Sequence, residues 1–73
     1  MSQLRYNKMV EKSIDRLRAM GLKLYIEAPN DDEVYIVIDI KSIMNMISRK
    51  ISYPQHKLYR EGDYVIIKIW RER

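Results

Sequence analysis

Near the N-terminus, apolar side chains recur at helical spacing. At about 100° per residue, Tyr6, Met9, Val10, Ser13, Ile14, Leu17 and Met20 fall in one stripe. Arg5, Lys8, Glu11, Lys12, Asp15, Arg16 and Arg18 occupy the remaining surface. The pattern predicts an amphipathic helix from Ser2 to Met20, with Ser2 as its N-cap. Gly21 stands where a helix end favours positive φ, and Arg16 and Arg18 complement the negative end of the dipole.

The period then changes from helical to two. Leu22, Leu24, Ile26 and Ala28 alternate with Lys23, Tyr25 and Glu27. Val34, Ile36, Ile38 and Ile40 alternate with Tyr35, Val37 and Asp39. Both runs predict strands, and Pro29-Asn30-Asp31-Asp32 is turn chemistry between them. A helical stripe returns with Ile40, Ile43, Met44, Ile47 and Ile51, predicting a second helix over Lys41 to Lys50, capped by Asp39 or Ser42. Met46 points off that stripe, as an exposed side chain or as a contact to a second copy. A second hairpin is expected from His56-Lys57-Leu58-Tyr59, a turn at Arg60-Glu61-Gly62-Asp63, and Tyr64 to Trp70.

The predicted order is α-β-β-α-β-β, or α-β-β-α-β without the short third strand. It implies a single α+β domain over residues 1–73. That domain is a two-layer sandwich whose two helices cover one face of a mainly antiparallel sheet. Parity constrains the registers. Opposed residues of the first hairpin must have numbers summing to an even value, so its loop has three or five residues unless a bulge intervenes. The shorter loop sets Tyr25 opposite Tyr35 and the longer sets Glu27 opposite Tyr35. In the second hairpin an even loop centred on Glu61-Gly62 sets Leu58 opposite Val65 and Tyr59 opposite Tyr64.

No third layer is predicted for the other face of the sheet. It would display Lys23, Tyr25, Tyr35, Val37, Lys57, Tyr59, Tyr64, Ile66, Lys68 and Trp70, with Glu27 as its main acidic member and Arg71 extending it. Rings interleaved with cations suit single-stranded nucleic acid. Bases stack on aromatic side chains at about 1–3 kcal/mol each, and Lys or Arg neutralise phosphates. On that basis Lys23, Tyr25, Tyr35, Lys57, Tyr59, Lys68, Trp70 and Arg71 are the candidate nucleic-acid-binding residues. Two other readings fit the same face. Tyr25, Val37, Ile66 and Trp70 suit a homodimer or partner interface, and cross-strand aromatic pairs also stabilise a sheet without any ligand. Arg5, Lys8, Lys12 and Arg16 form a further cationic row on the first helix.

Composition narrows the choice of class. At 73 residues the chain is small for a self-sufficient core, and without cysteine it has neither disulfides nor thiolate metal sites. Self-association is the remaining support, so a homodimer is expected. Fourteen Lys and Arg against ten Asp and Glu give a net charge of +4, a mild bias toward polyanions. The Lys/Arg/Glu-rich composition fits a heat-adapted protein or an AT-rich genome, viral and plasmid genes included. No apolar run approaches the roughly 20 residues of a membrane span, and no signal-peptide core is visible, so a cytoplasmic protein is expected.

Catalytic patterns are sparse. Gly21 and Gly62 are the only glycines, so no Gly-rich phosphate loop is present, and His56 is the single histidine. Asp31-Asp32-Glu33 reads as a solvated hairpin tip rather than a cation site. A metal-free ribonuclease could be assembled from His56, Tyr59 and Arg60, but a non-enzymatic binding protein without cofactor or small-molecule substrate is the expectation.

Overall fold

The first helix starts later than its apolar stripe suggests, and Asn7 is the reason. Asn7 is extended (φ −61°, ψ 137°), and its Oδ1 accepts a hydrogen bond from the Met9 amide at 2.8 Å. That is N-cap geometry, and it resets the helical phase. Helix α1 therefore spans Lys8–Ala19, preceded by a separate 3-10 turn at Leu4–Tyr6. Val10, Ser13, Ile14 and Leu17 of the expected stripe are buried. Tyr6, which precedes the break at Asn7, is instead 63% exposed, and Met9 in the first turn of α1 is 49% exposed. Leu4 is fully buried, and its amide donates to the Asp31 carbonyl at 2.7 Å, tying the N-terminal turn to the first hairpin. Gly21 ends the helix region at φ +79°.

The computed structural model describes residues 3–39, 47 and 49–71. Within it, four strands form one antiparallel sheet: β1 (Leu24–Asn30), β2 (Glu33–Asp39), β3 (His56–Glu61) and β4 (Tyr64–Trp70), in the order β1-β2-β4-β3. The fold is α+β. The expected second helix over Lys41 to Lys50 lies mostly outside the described residues. Ile47 within that stretch is helical and buried, and Ile51 after it is buried too. The expected caps at Ser2 and Ser42, and Met46, also lie outside the described residues.

Both hairpins keep the predicted sidedness, with registers that differ in detail. In the first, Tyr25 faces Val37 and Glu27 faces Tyr35, the alignment of the longer loop. The turn itself is nevertheless only Asp31-Asp32, because Asn30 pairs with Glu33 and the register shifts between Glu27 and Asn30. The extra residue falls at Ala28-Pro29. Proline cannot donate to a ladder, so edge strands and bulges accommodate it, and β1 is an edge strand. Asn30 shapes the turn, its Oδ1 accepting from the Asp32 amide at 2.9 Å. In the second hairpin the expected Leu58–Val65 pairing is replaced by Leu58–Ile67, and Tyr59 faces Ile66 rather than Tyr64. The turn is Gly62-Asp63, with Gly62 at φ +63°, a conformation two-residue hairpin turns demand. A shift of two residues preserves which side chains face the core.

That core lies between α1 and the inner face of the sheet. Val34, Ile36, Ile38, Val65, Ile67 and Ile69 are fully buried, packed with Leu4, Val10, Ile14, Leu17, Ile47 and Ile51. Ser13 is the buried polar side chain among them. Its Oγ donates to the Met9 carbonyl at 2.9 Å and accepts from the Ser52 amide at 3.1 Å, fastening the segment before β3 to the helix.

Candidate interaction face

The outer side of the sheet is built by the alternate residues of the same strands. Following the register across β1, β2, β4 and β3, one row reads Glu27, Tyr35, Lys68, Lys57. The next reads Tyr25, Val37, Ile66, Tyr59. The third reads Lys23, Asp39, Tyr64, Glu61, with Lys23 joined through its carbonyl to the Asp39 amide at 3.2 Å. A last, shorter row sets Asn30 beside Glu33 and Trp70. An apolar and aromatic band thus crosses the sheet, bounded by charged rows.

The candidate residues Lys23, Tyr25, Tyr35, Lys57, Tyr59, Lys68 and Trp70 all fall on this face. Tyr25 and Tyr64 are 50% and 43% exposed, and Val37, Ile66, Tyr35 and Tyr59 are half-buried by their neighbours. Arg71 lies just past β4. Its guanidinium is 3.4 Å from Asp32 Oδ1, and its amide donates to the Asp32 carbonyl at 2.9 Å, so it clamps the first turn. Lys68 Nζ sits 3.7 Å from Glu33 Oε2 and 5.9 Å from the Trp70 ring centroid. Tyr35 donates its hydroxyl to the same Glu33 carboxylate at 3.3 Å. Asn30 Nδ2 donates to Glu33 Oε1 at 2.7 Å and, with Lys68, holds the Glu33 carboxyl below the usual carboxylate range.

The sequence pattern undercounted the acidic members. Glu33, Asp39 and Glu61 read as turn and cap residues, yet they close strands on the outer side, alongside Glu27. Four carboxylates therefore share the face with the three lysines Lys23, Lys57 and Lys68. A shallow depression lined by Asn30, Asp32, Glu33, Lys68, Trp70 and Arg71 opens at one end. Its two cations are engaged by its own two carboxylates.

The trio His56, Tyr59 and Arg60 is not assembled. Strand alternation sends His56 and Arg60 to one side of β3 and Tyr59 to the other, and His56 Nδ1 is 2.6 Å from the Tyr53 carbonyl oxygen. Among the described residues no cluster of three metal-ligating side chains occurs, and no helix is long and apolar enough to cross a membrane. The chain matches no family model, no curated protein and no solved structure.

Proposed function

We propose that this chain is a small cytoplasmic binding module without catalytic activity, and that its open sheet face engages protein rather than nucleic acid. One observation carries the reading: the Tyr25–Val37–Ile66–Tyr59 band is framed by charges of both signs in near balance. A face that tracks phosphates requires an excess of cations, because neutralised phosphates supply most of the affinity. Here Lys68 is shared with Glu33, and carboxylates sit at both ends of β2, at the end of β3 and within β1 on this side. Aliphatic Val37 and Ile66 at the centre, aromatic residues around them and charges at the edge are the composition of a protein–protein contact.

The chain's positive excess favours the opposite layer as the place for any polyanion contact. On and beside α1, Arg5, Lys8, Lys12, Arg16 and Arg18 stand against Glu11 and Asp15. The decisive experiment places a benzophenone-bearing residue at position 25 and irradiates the protein in the cell that makes it. Adducts that are protein, insensitive to nuclease, are expected. Adducts that disappear with nuclease would overturn the reading. As a companion test, oligonucleotide binding at low salt should be unchanged by Tyr25→Ala and Trp70→Ala. A loss of about 1–3 kcal/mol from either substitution would return the face to nucleic acid.

A further inference from the structure

We infer that the occupant of the open face is a second copy of this chain, docked about a two-fold axis that runs along the strands between β2 and β4. The inference rests on the reading that this face binds protein. Its basis is the placement of the charges at the four corners. Glu27 and Lys23 lie on or beside β1, and Lys57 and Glu61 lie on β3, so like charges occupy the diagonals. Turning a second copy over about an axis parallel to the strands exchanges β1 with β3 and β2 with β4 while keeping each row. Glu27 then meets Lys57 of the second copy, and Lys23 meets Glu61. Between them Tyr25 lies on Tyr59 and Val37 on Ile66. Every contact occurs twice, as an isologous interface requires.

Three further features favour this occupant. All four corner residues are exposed, and among the described residues none of them makes an ion pair within the chain. Lys57 lies directly opposite Lys68, a like-charge pairing that destabilises a sheet, and a carboxylate from a second copy above Lys57 offsets it. The area also suffices. In each copy, four strands about 4.8 Å apart and about 24 Å long together present roughly 450 Å² in projection, and side-chain relief carries the pair past the roughly 1,000 Å² of a specific interface. An axis across the strands would also pair the corners, Glu27 with Lys23 and Lys57 with Glu61. It would leave Glu33 and Trp70 overhanging, whereas the axis along the strands covers them. Packed sheets cross at about 30°, which offsets edge partners by a few ångström, within reach of Lys and Glu side chains.

Sedimentation equilibrium on the full chain and three variants tests the inference. The parent protein is expected to dimerise. Glu27→Lys should raise the dimer Kd by about tenfold or more. Adding Lys57→Glu in the same chain should restore it, while adding Lys23→Glu should not. These are exposed positions, and circular dichroism confirms that each variant folds. A parent that stays monomeric into the millimolar range, or rescue by Lys23→Glu alone, overturns the inference. The position-25 cross-linking separates the two levels. Protein adducts lacking a species of twice the chain mass sink the self-pairing and leave the protein reading intact, whereas nuclease-sensitive adducts sink both.

Discussion

β2 and β4 carry two different surfaces on the same backbone. Their inner face is Val34, Ile36, Ile38, Val65, Ile67 and Ile69, all β-branched and all fully buried. Their outer face is Glu33, Tyr35, Val37 and Asp39 beside Tyr64, Ile66, Lys68 and Trp70. The same period of two generates both, so period alone says only which residues lie together. Residue type distinguishes them. Stiff aliphatic side chains fill a fixed volume against α1. The outer mixture of rings, two aliphatics and balanced charge leaves contacts that a neighbour can complete.

The sharpest way to break this comparison is to truncate neighbours on opposite faces. Ile67→Ala should destabilise the chain by about 2–5 kcal/mol, since it opens a cavity between Ile36, Leu58 and the helix layer. Ile66→Ala, one residue earlier, should lower stability by less than about 1.5 kcal/mol in dilute, monomeric protein and should weaken association instead. Denaturant unfolding at low concentration, paired with light scattering, reads both. Equal losses in the dilute protein would mean that the outer face contributes to folding as the core does, and the distinction would fail.

Ser13→Ala probes a buried polar fastening of the inner layer. The Ser52 amide loses its acceptor, and a drop of about 1–3 kcal/mol is expected in denaturant unfolding. Hydrogen exchange at Ser52 should speed up before exchange in the central strands does. No change in either would mean that solvent serves Ser52 as well as Ser13 does.

Gly62→Ala tests the register that lines up the outer rows. No atom lies within 4 Å of the added Cβ, so the expected loss of about 1–2 kcal/mol comes from the left-handed backbone alone. Asn, which tolerates that region, should recover much of it. Thermal melts of Gly62→Ala and Gly62→Asn give the comparison. Equal melts for the two would show that backbone conformation is not what fixes this turn.

The turn also shows what could be read from the chain in advance. Sidedness was legible because alternation survives any two-residue slip: Leu58 faces the core whether it meets Val65 or Ile67. Register was not, because parity treats those pairings alike and only the positive φ of Gly62 selects between them. The bulge at Ala28-Pro29 had a signal, a proline inside a strand-like run, which read equally well as the start of the turn. The helix start had one too, since Asn7 is a favoured N-cap residue, but an uninterrupted apolar stripe masked it. The rings of the candidate face were all placed correctly by alternation. Its charge balance was hidden, because Glu33, Asp39 and Glu61 sit at strand ends, where acidic residues also serve turns and caps.

The smallest effect separates the charges already committed within the chain from those left for a neighbour. Glu33 is held by Asn30 first, then by Lys68 and Tyr35, and its carboxyl lies below the usual carboxylate range as a result. A depressed folded-state pKa stabilises the fold at pH above the unfolded value. That contribution fades as pH falls through the lower folded value. A carbon-detected titration of the Glu33 carboxyl should therefore show a midpoint below that of an unpaired glutamate. Asn30→Ala should raise that midpoint more than Lys68→Met does, because the short hydrogen bond outweighs an exposed ion pair. The reverse order would mean that the ammonium of Lys68 is bound to Glu33 tightly enough to be withheld from any partner. The outer face would then lose one of the three cations that leave its charge so nearly balanced.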